Sequence, residues 1–255
     1  MTNAMVVLSG GQDSATCLAC ALHTYDNVRA VTFDYGQRHR IELVQAVAII
    51  ERASQLSGRR IPHDLVKVPD VLIGTSPLTN REQVVELYES ADTLPGGLEK
   101  TFVPGRNILF LAIAASRGYV HFDGDPFLLV TGVSQEDFGG YPDCRSTFME
   151  AMQTSLNRGL YLDDSLQNVV IETPLIYLSK ADTVRLARDT EFGMELVGLS
   201  HTCYNGLRGT VHDDGSVTVG CGHCHACLLR SRGFADAGIE DPAKSLLATD
   251  LLQAG

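Results

Sequence analysis

At 255 residues, 44% of them hydrophobic and 20% charged, the chain is long enough to bury a real core, and one main domain is expected. A net charge of −11 points to small-molecule partners and away from nucleic acid, whose phosphates require a basic surface. The longest apolar run, Ile108 to Ala115, is far short of the roughly 18 residues that cross a bilayer, and the first residues carry no basic leader; a cytoplasmic protein without a membrane partner is expected. Seven cysteines in a reducing compartment imply a metal site or simple burial in place of disulfides.

Met5 to Leu8 reads as a strand and the segment from Asp13 to about Tyr25 as an amphipathic helix, with Ala15, Leu18, Ala19 and Leu22 on one face. Between them stands Ser9-Gly10-Gly11-Gln12-Asp13-Ser14. Adjacent glycines allow close backbone approach, and the free N–H groups of a helix start attract negative charge, so this turn is suited to phosphate. It is not a Walker A loop, because none of Lys67, Lys100, Lys180 and Lys244 follows a glycine, and it lacks the G-x-G-x-x-G spacing. It resembles the SGGxDS loop of the PP-loop ATP pyrophosphatases. That resemblance implies ATP cleavage between the α- and β-phosphates, with the loop holding the departing pyrophosphate.

Further strands are predicted at Val28 to Phe33, Asp64 to Val68, Phe127 to Gly132 and Asn168 to Glu172. Helices are predicted from about Arg38 to Leu56, Asn107 to Gly118, Ser146 to Asn157 and Lys180 to Thr190, with a short one over Arg81 to Ser90. Strand and helix alternate, which gives an α/β fold: a doubly wound, mostly parallel five-stranded sheet with helices on both faces and ligands at the carboxyl ends of the strands.

The residues at those ends are the candidates. Strand two runs into Asp34-Tyr35-Gly36-Gln37-Arg38-His39-Arg40, where basic residues stand at the unfavourable end of a helix dipole; Tyr35, Gln37 and Arg38 are read as site residues, while His39 reads equally well as packed. The Pro- and Gly-rich stretch from Pro69 to Pro104 reads as a lid. Arg106 and Asn107 open a nearly all-apolar helix that is expected to be buried, and they need polar partners such as ATP or substrate. In the loop from Gln135 to Arg145, a carboxylate of Asp137 or Asp143 is suited to the adjacent donors of a guanine-like base, Phe138 or Tyr141 to stacking on it, and Arg145 to a substrate carboxylate; Cys144 is expected to be packed. Ser179-Lys180-Ala181-Asp182 is a capped helix start from which Lys180 can reach phosphate.

Cys221-Gly222-His223-Cys224-His225-Ala226-Cys227 offers thiols at C-x2-C-x2-C, with Cys203 upstream. Four thiolates suit a closed, structural tetrahedral zinc site, although His223 or His225 can replace Cys203 on spacing alone; the ferredoxin pattern is absent because Leu228-Leu229-Arg230 follows. Cys17 and Cys20 repeat the C-x2-C spacing inside the first helix, where packing is expected.

The motifs SGGQDS, FDYGQRH, FVPGRN, GGYPDCR, ETPL with SKAD, and CYNG with CGHCHAC occur in one order from about Met5 to about Phe234. Together they resemble the 7-cyano-7-deazaguanine synthase family. The resemblance implies a PP-loop, adenine nucleotide alpha-hydrolase-like domain and an ATP-dependent carbon–nitrogen ligase that converts 7-carboxy-7-deazaguanine and ammonia to the nitrile for queuosine-type nucleosides. It implies ATP and Mg²⁺ at Leu8, Ser9, Gly10, Gly11, Gln12, Asp13, Ser14, Ala15, Thr16, Cys17 and Leu18. It implies one structural zinc ion on Cys203, Cys221, Cys224 and Cys227, and a homodimer. Ser9, Asp13, Ser14, Arg38, Arg106 and Lys180 are the residues expected to act in the chemistry. The expected division is an ATP-binding domain over 1–197, a zinc-binding segment over 198–236 and a tail over 237–255. The chain departs from the family pattern in the wide spacing between Cys203 and Cys221, where Asp214-Gly215 between alternating residues predicts a hairpin within 209–220.

Overall fold

The computed structural model describes all residues except 69–71, 73, 75, 95–99, 136–140, 164–167, 213 and 254–255. The chain runs β1 (Asn3–Val7), α1 (Gln12–Thr24), β2 (Asn27–Asp34), α2 (Ile41–Ser57), β3 (His63–Lys67), α3 (Arg106–His121), β4 (Phe127–Thr131), α4 (Ser146–Leu160), β5 (Val169–Glu172), α5 (Lys180–Asp189), α6 (Gly193–Leu199), β6 (Gly209–Val211), β7 (Val217–Val219), α7 (His225–Ala237) and α8 (Pro242–Gln253). The first five strands form one sheet in the order β3-β2-β1-β4-β5, with every neighbouring pair parallel. The strand order reverses between β1 and β4, so the crevice beyond their carboxyl ends is where an open sheet of this kind binds ligand.

Strand alternation divides the core. Ala4, Val6 and Leu8 pack with α1, α2, α5, α6 and Phe234 of α7, whereas Met5 packs on the other face with α3 and α4. The predicted strands and the five longer predicted helices all form, with ends shifted by a few residues. Two readings are corrected. α3 is buried along one stripe only, at Leu111, Ala114 and Ala115, and exposes Ile108, Tyr119 and Val120, because it forms an outer layer with the sheet on one side. No helix forms over Arg81 to Ser90; Leu87 makes an antiparallel bridge to Cys224, and Tyr88 N–H donates to the His223 carbonyl at 2.8 Å. Of the apolar residues there only Val85 is buried, against the cysteines, and Val84 and Leu87 face out.

The hairpin of β6 and β7 forms at the predicted place, with Asp214 and Gly215 in its turn. Residues 193–253 contain three helices that periodicity did not reveal, α8 among them. Their anchor is Arg230, 2% exposed, which forms a two-pronged pair with Asp241 (Nε to Oδ2 2.6 Å, Nη2 to Oδ1 2.8 Å). It also donates to Ser200 Oγ and Thr202 Oγ1 and to the Val197 carbonyl. One guanidinium thus ties α7, the end of α6 and the start of α8 together. Among the described residues no helix is long and apolar enough to cross a membrane.

Removing one member of a buried ion pair leaves its partner charged and desolvated. Arg230→Met is expected to destabilise the fold by about 3–5 kcal/mol in urea denaturation, and adding Asp241→Leu is expected to recover most of that loss.

Candidate active site

The loop after β1 is shaped by its glycines and serines. Gly10 adopts φ +89°, and a Cβ there would lie 2.1 Å from the Glu42 carbonyl oxygen of α2; on its other side, the Gly10 carbonyl accepts from His201 N–H at 2.8 Å. Ser14 Oγ accepts from Ser9 N–H, lies 3.0 Å from Ser9 Oγ and donates to the Gly11 carbonyl. α1 begins at Gly11 without a side-chain cap, so its first-turn N–H groups remain available to a ligand. Gly132, at the end of β4, lets that strand approach the same helix start: a Cβ there would lie 2.9 Å from the Asp13 carbonyl carbon.

A cavity of about 310 Å³ opens on this turn, near the lower end of the ~300–1,000 Å³ usual for small-molecule sites. Ser9, Gly11, Gln12, Asp13 and Ser14 line one end with Lys180, whose Nζ donates to Asp13 Oδ2 at 2.8 Å. Gln12 Nε2, Asp13 Oδ1 and Ser134 Oγ, all from cavity-lining residues, are buried without a hydrogen-bond partner among the described residues. Unpaired buried polar atoms are costly, and three at one cavity describe a polar ligand site. Of the longer expected nucleotide stretch, Leu8 lines the cavity, while Ala15, Thr16, Cys17 and Leu18 are fully buried in α1.

The opposite end is aromatic. Phe33 and Phe110 stack at 4.2 Å between ring centroids, with Tyr35 edge-on to Phe110 and Tyr141 alongside. The Arg106 Cζ lies 6.0 Å from the Tyr141 ring centroid. Burial opposes the Arg106 charge, but Tyr35, Tyr141, Cys144 and Asp143 more than offset it, and its pKa is raised. Asn107 lines the same wall.

Other predicted site residues have different surroundings. Gln37 is fully buried; its Nε2 donates to Phe33 O and Glu42 Oε1, and its Oε1 accepts from Tyr35 N–H. Arg38 lies outside the cavity lining and donates to the carbonyls of Pro77, Asn80, Arg81 and Gln83, fastening the expected lid segment to the β2–α2 turn. Asp143 is buried, and its carboxylate accepts from the Asn107 backbone at the start of α3; burial raises its pKa against the opposing pull of Arg106. Arg145 is exposed at the start of α4, and Cys144 is buried beside Asn107. Asp137 and Phe138 lie outside the described residues.

The third wall is made of His39, Glu42, His201, Thr202, Tyr204, His225, Ala226, Leu229 and Arg230; the sequence left His39 open between a site role and packing and offered His225 only as a metal ligand, and the other seven were missed. The only signal for most of it was proximity in sequence to the cysteines. The sulfurs of Cys203, Cys221, Cys224 and Cys227 lie within 4.8 Å of one another, and Cys221 and Cys227 are 4.0 Å apart. Tetrahedral zinc, with bonds of ~2.3 Å, places its sulfurs about 3.8 Å apart, so this donor set fits a closed thiolate metal site. Hydrogen bonds from the Cys224 and Cys227 thiols pull the Cys203 thiol down, and the bond with Cys203 pushes Cys224 up to about 12. Among the thiols alone, negative charge is shared; a cation is what lets all of them ionise. Gly220 (φ +70°) admits the approach, since a Cβ there would sit 2.5 Å from the Cys227 sulfur.

Gly10→Ala must place a side chain where the Glu42 carbonyl stands. The left-handed backbone alone costs about 1–2 kcal/mol, and the collision adds to it. The variant is expected to lose at least that stability in denaturant titration.

A family model described as queuosine biosynthesis protein QueC matches residues 3–238. The chain is 48% identical over 244 residues to the 7-cyano-7-deazaguanine synthase of Gloeobacter violaceus, covering 95% of each chain. It is 44% identical over 245 residues to the enzyme of that name from Chromobacterium violaceum, covering 94% of this chain and 92% of the relative. With that from Laribacter hongkongensis the identity is 41% over 251 residues, covering 96% of each. A phosphate-type turn at the β1–β4 crevice, a four-thiol cluster behind the same cavity and a match across nearly the whole chain agree: the chain belongs to the queuosine biosynthesis protein QueC family.

Proposed function

We propose that the cavity is the active site of an ATP-dependent carbon–nitrogen ligase that makes 7-cyano-7-deazaguanine from 7-carboxy-7-deazaguanine and ammonia. The observation that carries this reading is one cavity with unpaired polar groups of the Ser9–Ser14 turn at one end and an aromatic wall with a cation at the other. It fits a nucleotide whose α-phosphate must meet a carboxylate on a flat, nitrogen-rich ring.

A carboxylate is a poor electrophile, so its oxygen must become a leaving group. Attack of that oxygen on the α-phosphorus of ATP gives the acyl adenylate, and the pyrophosphate leaves toward the first-turn N–H groups of α1 and Lys180. Ammonia then displaces AMP to give the amide. A second adenylation at the amide oxygen, with loss of one N–H proton, gives the adenylated imidate, and loss of AMP with the second N–H proton leaves the nitrile. Throughout, the chain contributes positioning and fixed positive charge. Arg106, held by Tyr35 and Tyr141, is assigned to the developing negative charge at the carboxyl group. Asp13 Oδ1, buried and without a hydrogen-bond partner among the described residues, would hold Mg²⁺, which would supply charge neutralisation for the phosphates. Zinc is assigned to the four cysteines as a structural ion that supports the third wall of the cavity. Residues 198–236 are read as the zinc-binding segment beside an ATP domain over 1–197, and a homodimer is the assembly proposed on family resemblance.

Incubating the protein with 7-carboxy-7-deazaguanine, ammonium, Mg²⁺ and ATP is expected to give the nitrile mass with AMP in a two-to-one ratio to product. An amide as the end product would remove the second activation, and no turnover would remove the reading. Arg106→Ala is expected to lower kcat by about 10²–10³-fold with the unfolding midpoint nearly unchanged. Metal analysis of the gel-filtered protein is expected to give one zinc per chain, with the content lost in Cys224→Ser.

A further inference from the structure

His39 sits in the turn before α2, is 6% exposed and lines the cavity. Its Nε2 lies 3.1 Å from Glu42 Oε2, while the other Glu42 oxygen accepts from Gln37 Nε2 at 2.9 Å. Gln37 is itself fixed by Tyr35 N–H and the Phe33 carbonyl. A carboxylate can only accept here, so the shared hydrogen belongs to His39 Nε2 and the lone pair to Nδ1. That Nδ1 is buried and has no hydrogen-bond partner among the described residues. An unmet buried acceptor costs about 1–3 kcal/mol, so the partner of this atom is sought in a bound molecule. By comparison, His63 Nε2 lies 2.8 Å from Thr32 Oγ1 and His201 Nε2 lies 3.1 Å from the Cys203 carbonyl oxygen. Around His39 stand Glu42 from α2, and His201 and Tyr204 from the segment before the hairpin; Arg38 is directed away onto loop carbonyls.

We propose that His39 is the general base of the carbon–nitrogen bond-forming step, with Glu42 and Gln37 as its positioning residues. The proposal rests on the ligase reading above. The ammonia lone pair forms the C–N bond at the carboxyl carbon of the adenylate, and the bond from that carbon to the AMP oxygen breaks, its electron pair leaving with AMP. The surplus proton on nitrogen passes to His39 Nδ1, and the resulting imidazolium is balanced by Glu42. In the second round one N–H proton is lost as the amide oxygen takes the adenylyl group, giving the neutral imidate; the remaining N–H proton then goes to the same atom, its bonding pair becomes the last C–N bond of the nitrile, and AMP leaves with the C–O pair. Each proton is released to solvent before the next step.

The test separates adenylation from bond formation, using substrate-dependent exchange of labelled pyrophosphate into ATP for the first and product mass for the second. His39→Gln is expected to keep exchange within a few-fold of the parent and to lose about 10²–10⁴-fold in amide and nitrile formation. Hydroxylamine, whose N-protonated adduct is a much stronger acid than that of ammonia and sheds its proton to water, is expected to be acylated by the variant far better than ammonia. Glu42→Gln withdraws the charge that stabilises the imidazolium, so the rising limb of the rate against pH is expected to move to lower pH with a lower plateau. Unchanged bond formation in His39→Gln, or exchange lost along with it, overturns the proposal. Should that variant not fold, an unmoved limb in Glu42→Gln overturns it. A parent protein without exchange fails the ligase reading instead.

Discussion

The site depends on how closely three segments meet at Gly10. The α2 carbonyl of Glu42 occupies the space a side chain would need, and the His201 N–H of a far later segment closes on the Gly10 carbonyl. Because Gly10 takes a left-handed conformation, the turn can bend away from β1 and direct the uncapped start of α1 into the crevice. Ser9 and Ser14 satisfy part of the turn internally, which leaves the remaining N–H groups to a ligand. The same contact fixes the distance between the phosphate end of the cavity and the wall that His201 and Tyr204 build.

That wall brings the four-cysteine cluster into the function without giving it a chemical step. Cys203 is followed by Tyr204, and Cys224 and Cys227 flank His225 and Ala226; Tyr204, His225 and Ala226 all line the cavity. A metal holding the sulfurs therefore holds the cavity surface between them. The ion pair of Arg230 and Asp241 supports the same wall, which Arg230 itself lines, and Arg230 also bonds to Thr202 of that wall and to Ser200 before it. Gly233 lets α7 cross α5 against Lys180, where a Cβ would come within 2.8 Å of the lysine Cβ, so the position of the ammonium at Asp13 is coupled to the helix that carries Cys227.

The sheet, its parallel order and the glycine turn after β1 were legible because strand and helix periods are local properties of the chain. Gln37, Arg38 and Asp143 were legible as unusual residues, but the groups they meet were not. Their polar groups satisfy backbone at the turn before α2, along the expected lid and at the start of α3, and a sequence cannot show which backbone groups lack partners. The extended stretch around Leu87 imitated a helix because its strand partner, Cys224, is remote in sequence. α7 stayed hidden because its buried residues include Arg230 and Gly233, which periodicity counts as polar or as a break.

The bond from His201 to Gly10 joins two residues 191 positions apart (201 − 10). Contacts between such distant residues form slowly, because closing a long loop costs entropy before any contact can repay it. During synthesis β1 and α1 leave the ribosome long before the segment that completes the cavity. The cavity is therefore a late product of folding: the turn after β1 is made well before the wall needed to enclose a ligand there.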